Sequence, residues 1–210
     1  MDYFKRKKQI DISLALIIFA YAGLLAIFLG GIERKICFIS MMFVWFSDEW
    51  LCKGSMRRNN RNYIGGTILF VIAQIILIAM FIRQLMFNPN YPSNESGAYF
   101  TFRSIAYIVA TIIVIFIFEE KHLEDKDGTY IIGAANVCIT MMLFSVLLRL
   151  LEIESSTRNI MLVIGSGMML VSNFVYSYNK VNHSTVLHSA ERVTKWFYPL
   201  ALIIIVTYIG

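Results

Sequence analysis

Charge is scarce in this chain: Asp, Glu, Lys and Arg make up 16% of its 210 residues, against about a quarter in an average soluble domain. Apolar residues fill the gap at 58%, and the mean hydropathy is +0.64. A domain of this size still exposes much of its surface, so the composition weighs against a soluble enzyme. It also excludes a disordered chain, which needs low hydrophobicity and high charge. With 3 prolines and 12 glycines, collagen-like and linker-dominated architectures are excluded as well. The cysteines are Cys37, Cys52 and Cys138. An odd number without CxxC spacing gives neither a disulfide framework nor a zinc site, and all three read as small buried hydrophobes. His122, His183 and His188 form no HExxH pattern, and the pair at 183 and 188 has no third ligand nearby, so no metal site is expected. A P-loop and a G-x-S-x-G elbow are missing too, and no cofactor is expected. The net charge of +5 would suggest nucleic acid in a soluble protein. Here it is better explained by basic loops held on one side of a membrane, and no nucleic-acid partner is expected.

What the chain does contain is long apolar runs. A helix needs about 20 apolar residues to cross the hydrocarbon core, and seven stretches meet that pattern: Ile12–Ile32, Ile36–Cys52, Tyr63–Ile82, Tyr99–Phe118, Thr129–Leu148, Asn159–Asn179 and Val193–Gly210. The runs are continuous, whereas a closed barrel would show short alternating segments. The expected fold is therefore all-α, a polytopic membrane helix bundle with residues 1–210 forming one integral membrane domain. The first run is longer than a signal-peptide core and no A-x-A site follows it, so it is expected to be retained.

Orientation follows from the basic residues. Thirteen of the 19 Lys and Arg fall on the side that holds the N-terminus, among them Lys5, Arg6, Lys7, Lys8, Lys53, Arg57, Arg58, Arg61 and Lys180. The other side holds Arg34, Lys35, Arg83, Arg103, Arg149 and Arg158. The N-terminus is expected inside, in a multi-pass protein of a bacterial cytoplasmic membrane. A sequon at Asn94-Glu95-Ser96 matters only on a eukaryotic secretory route. Nothing in the sequence specifies an oligomeric state.

Polar residues at membrane depth are costly and usually face a cavity or a partner. Asp48 stands near the inner end of the second run and Ser172-Asn173 near that of the sixth, at expected depths of about 6 and 10 Å. Gln74 falls near the midplane of the third, and Asn136 lies within the fifth; both suit interhelical hydrogen bonding. Ser47, Asp48, Ser172, Asn173 and Glu120 are expected to line one cavity at the inner interface. That placement suits an amphiphilic lipid, whose head group stays at the surface while its chain lies among helices. Asp48 and Glu49 also suit plain interfacial pairing with Lys53 or Arg57. Gly165-Ser166-Gly167 and Gly65-Gly66 read as close-packing patches.

Several of these segments resemble the YhhN family, the lysoplasmalogenase family. The run Met42 to Leu51, with Ser47-Asp48, resembles its small-residue-plus-Asp signature. Gly66-Thr67-Ile68-Leu69-Phe70-Val71-Ile72-Ala73-Gln74 has the spacing of the family's following helix, with Gln74 where the family has His. Gly165 to Phe174 resembles a later stretch ending in Ser172-Asn173-Phe174, and Phe197-Tyr198 fits the aromatic pair opening its last helix. The family usually has eight helices where seven are expected here, and Leu202 stands where it has Gln or His. The resemblance implies hydrolysis of the vinyl ether bond of lysoplasmalogens to a fatty aldehyde and a glycerophospho-base. That chemistry needs a carboxylic acid to protonate the vinyl carbon and a held water. It implies Asp48 and Asn173 as catalytic residues, and Ser47, Gln74, Ser172 and Tyr130 as substrate-binding ones. Lys53, Arg57 and Arg58 would attract the lipid phosphate, or simply anchor the loop on the inner side. The missing His motivates an alternative, a non-catalytic relative that binds or senses a lipid or a partner protein. A small membrane transporter is a further alternative.

Overall fold

The computed structural model describes residues 2–55, 60–90, 97–119, 129–182 and 188–209. Seven helices run through them: α1 (Asp2–Phe28), α2 (Ile32–Ser55), α3 (Asn60–Met86), α4 (Gly97–Glu119), α5 (Thr129–Ile153), α6 (Thr157–Asn182) and α7 (His188–Tyr208). The expected all-α bundle is thus present. By length and composition α3, α5 and α6 can cross a membrane, and α1, α4 and α7 carry shorter apolar stretches. In α2 the charged residues Glu33, Arg34, Lys35, Asp48, Glu49 and Lys53 at its two ends keep it out of both groups.

The helices alternate in direction and close a ring in the order α1, α2, α3, α5, α6, α7 and back to α1, while α4 packs outside it against α5 and, more thinly, α6. Outward faces are apolar. On α3 the exposed residues Ile68, Ile72, Ile75 and Ile82 recur at helical spacing, opposite the buried Phe70, Ala73, Leu77 and Phe81. Such a surface is at home in lipid, where burial of apolar area no longer drives helices together and close packing and hydrogen bonds take over.

The first run ends earlier than hydropathy alone suggests. Gly30 and Gly31 have φ of 67° and 88°, a left-handed backbone that favours glycine. They close a tight turn after α1 and pass Ile32 to α2. At the end that carries most of the basic residues, here termed inner after the expected orientation, the helices outrun their apolar stretches: α6 continues to Asn182 and α7 begins at His188.

The α2–α3 seam shows how the register is held. Ser40 Oγ donates to the Ala73 carbonyl (2.9 Å) and Ser47 Oγ to that of Gly66 (2.7 Å). The donors are seven residues apart on one helix and the acceptors seven apart on the other, so the two bonds pin an antiparallel pair two turns apart. Approach this close needs a residue without a side chain. A Cβ on Gly66 would stand 2.7 Å from Leu51 Cγ and 3.1 Å from the Ser47 carbonyl oxygen.

The bundle is divided along its length. The outer half is filled by Leu77, Phe81, Leu143, Leu147, Leu162 and Ile205, each at most 1% exposed. Arg158 closes that end: Nε donates to the Tyr208 carbonyl (2.9 Å), and Nη2 to the carbonyl of Ile209 (2.8 Å) and to Gln84 Oε1 (3.3 Å). The guanidinium thereby satisfies carbonyls that the C-terminus of α7 leaves unpaired. Beside it, Asn159 Nδ2 donates to the Glu154 carbonyl at the end of α5 (2.8 Å), and Ser156 Oγ caps the start of α6 (3.3 Å to Asn159 N).

Gly66→Val is expected to lower stability by about 1–3 kcal/mol through overpacking of the seam. The loss would show as a fall in thermal midpoint in detergent, larger than that of Ser47→Ala, where a single interhelical hydrogen bond of about 0.6 kcal/mol is removed.

Candidate functional site

The inner half of the bundle differs from the outer in being polar. Its centrepiece is a carboxylate on α2 and a phenol on α7. The Tyr198 hydroxyl stands 3.1 Å from Asp48 Oδ1 and 3.2 Å from Oδ2, so one donor addresses both oxygens. Both residues are half-buried. Tyr198 also packs on Phe70 of α3, ring centroids 5.7 Å apart. The pair therefore ties together α2, α3 and α7. Pro199 follows Tyr198 inside α7; with no N–H, it leaves the carbonyl one turn back without its helical donor.

Deeper in the bundle lies a second polar group, made of amides and hydroxyls from three helices. Gln74 Nε2 donates to Asn136 Oδ1 (3.2 Å), and Asn173 Nδ2 donates to Thr140 Oγ1 (2.9 Å). The Thr140 hydroxyl proton is within reach of Gln74 Oε1 (3.0 Å) and of the Asn136 carbonyl in its own helix (2.8 Å). Asn136 Nδ2 continues the chain to Ser177 Oγ (3.4 Å). Gln74, Thr140 and Ser177 are fully buried, and Asn136 and Asn173 nearly so. Inside a membrane such groups must find partners in the protein, and here each amide does.

Asp48 and Asn173 are thus placed in different polar groups, Asp48 with Tyr198 and Asn173 with Thr140 and Gln74. Asn173 lies nine residues from the end of α6 at Asn182, about 13 Å, whereas Asp48 lies seven from the end of α2 at Ser55, about 10 Å. Ser47 is fully buried, with its hydroxyl on the Gly66 carbonyl, so it holds the seam beside the carboxylate. Ser172 is buried on α6. Tyr130 packs with the cluster of Val114, Ala134, Val137 and Cys138, which joins α4 to α5. Glu120, Arg57, Arg58, His122, His183 and the sequon at Asn94 lie outside the described residues, as do the side chains of Lys53 and His188. Among the described residues no group of His, Cys, Asp and Glu could hold a metal ion.

Two contributors, Thr140 and Ser177, were not singled out from sequence. Thr140 and Ser177 each fall one turn after an Asn, Asn136 on α5 and Asn173 on α6. That i,i+4 spacing puts each pair on one helix face, a signal legible in the sequence. Tyr198 was named as half of the aromatic pair with Phe197, but its contact with Asp48 left no trace, because a tyrosine near a membrane surface is ordinary.

Asn136→Leu strands Gln74 and Ser177 without this partner. It is expected to cost about 1–2 kcal/mol, seen as a lower thermal midpoint in detergent, while Asn136→Gln should recover part of the loss.

The comparisons with known proteins agree with this layout at the level of the family. Residues 9–209 match the family model described as YhhN family. Neither the curated proteins nor the solved structures give a match. The match spans nearly the whole chain and takes in Asp48, Gln74, Asn173 and Tyr198. The chain belongs to the YhhN family.

Proposed function

We propose that this protein is a lysoplasmalogenase-like hydrolase of a bacterial cytoplasmic membrane, cleaving the vinyl ether bond of a single-chain phospholipid. The observation that carries this reading is the Asp48–Tyr198 pair: a half-buried carboxyl group near the inner end of a membrane bundle, held through both oxygens by one phenol. A lipid with its head group at the inner surface and its chain among the helices would bring its first chain carbons to that depth.

The chemistry follows from the residues available. Asp48, in its protonated form, donates its proton to the outer carbon of the vinyl ether, and the double bond's electrons form the new C–H bond. The carbon attached to oxygen becomes an oxocarbenium centre. Water adds there and gives its proton back to the carboxylate, leaving a hemiacetal. Collapse of the hemiacetal releases a fatty aldehyde and the glycerol hydroxyl, so one water is consumed and the acid is regenerated. Proton transfer by a positioned acid contributes about 10²–10⁴-fold. Tyr198 is a positioning residue: its O–H fixes the carboxyl group and stabilises the carboxylate formed after proton transfer. Ser172 and Asn173, on α6, are the groups proposed to meet the substrate beyond the reacting carbons.

One observation favours a second reading. Both ends of the Gln74 amide are taken up by Asn136 and Thr140, so the position where the family resemblance expects His serves the bundle's own cohesion. A relative in that condition would bind the lipid without turning it over.

Aldehyde release from lysoplasmenyl-ethanolamine and lysoplasmenyl-choline by the purified protein decides between them. The wild type is expected to form aldehyde, Asp48→Asn to lose at least about 100-fold in kcat, and Tyr198→Phe to fall by about tenfold with little change in KM. A folded wild type that binds these lipids yet forms no aldehyde would overturn the hydrolase in favour of the lipid-binding protein.

A further inference from the structure

The inner end of the ring holds a cation that no carboxylate neutralises among the described residues. Lys180, in the last turn of α6, is half-buried. Its Nζ lies 5.7 Å from the centre of the Tyr63 ring, and no carboxylate pairs with it among the described residues. Tyr63, on α3, is 2% exposed, and its ring is 6.2 Å from that of Tyr176. The buried Tyr63 hydroxyl sits beside Ser177 and Thr67 but makes no hydrogen bond of good geometry with either. An ammonium over an aromatic face gains about 0.5–2 kcal/mol, which holds the side chain in place but leaves its charge available. A buried hydroxyl without a partner is costly, and a ligand oxygen would relieve it.

The position of the pair relative to Asp48 is informative. Tyr63 precedes Gly66 on α3 by three residues, just under one turn, and Gly66 is the residue whose carbonyl takes Ser47, the neighbour of Asp48. Asp48 itself lies one residue further in than Ser47, so Tyr63 stands about 3 Å nearer the inner surface than Asp48 along the helices, with Lys180 over its ring. In a single-chain glycerophospholipid the bond to the chain and the phosphorus are separated only by the glycerol carbons and their two flanking oxygens, so one molecule can place a chain carbon at Asp48 and its phosphate at Lys180. From this we infer that Lys180 and Tyr63 form a phosphate-binding subsite for the lipid head group. Lys180 supplies the charge, and Tyr63 supplies both the platform under it and a donor to the glycerophosphate. This rests on the lipid reading above but not on turnover.

The test is binding to the full-length protein in detergent, which needs no catalysis. The probes are a 1-alkyl lysophosphocholine, the 1-alkylglycerol of the same chain length and inorganic phosphate. Wild type is expected to bind the phospholipid at least about tenfold more tightly than the alkylglycerol, a difference of about 1.4 kcal/mol. Lys180→Gln should abolish that preference while leaving alkylglycerol affinity unchanged. Lys180→Arg should keep most of the preference, and Tyr63→Phe should reduce it by about threefold. Equal affinity of wild type for both lipids overturns the subsite, as does a Lys180→Gln variant that loses both lipids alike. Lys180-dependent binding of inorganic phosphate without any preference between the lipids would also overturn it, assigning a free anion instead. If the preference holds and no aldehyde is formed, the subsite stands and only the hydrolase reading fails.

Discussion

A polar group in hydrocarbon has no water to turn to, and the amides of Gln74, Asn136 and Asn173 sit where that constraint is most severe. Their solution is mutual: with Thr140 and Ser177 they form a continuous chain of hydrogen bonds across α3, α5 and α6. Apolar side chains would fit many helix arrangements equally well in a membrane, since lipid is as apolar as leucine. Amides that must meet specific partners allow far fewer. The network thus fixes which helices adjoin and at what height, and the ring around it inherits that order.

Its second effect is to separate two environments. Above it, toward the outer end, large aliphatic and aromatic side chains fill the ring, and Arg158 ties the last turn of α7 to Gln84 of α3. Below it stand Asp48, Tyr198, Tyr63 and Lys180, drawn from α2, α7, α3 and α6. The two serines of α2 hold its register against α3, so the carboxylate is delivered to the inner side at a defined level. Packing and hydrogen bonding together therefore leave one end dense and the other chemically equipped.

Much of this was legible in the sequence. Seven helices follow from apolar runs that only a membrane can accommodate, and Asp48, Gln74 and Asn173 are conspicuous because they interrupt such runs. Helix ends were less legible, since hydropathy marks the hydrocarbon boundary and not the end of the helix: α6 and α7 extend past theirs, and the Gly30-Gly31 turn cuts α1 short. Which polar residues meet was legible only in part. The spacing of Asn136 with Thr140, and of Asn173 with Ser177, marks shared faces, but the choice of facing helix is a tertiary fact. Ser47, expected to contact a ligand, donates its hydroxyl to the α2–α3 seam, a contact that sequence could not reveal because a small residue beside a glycine serves close approach as readily as it serves binding.

The filled outer half has a consequence for exchange with the surroundings. Phe81, Leu143, Leu147 and Leu162 fill the ring above the amide network and screen the polar groups from the membrane face on that side. On the proposed lipid reading, a lipid resident in the opposite leaflet would first have to flip across the bilayer before the protein could reach it. Transbilayer movement of that lipid, and not its total abundance, would then set how much of it this protein encounters.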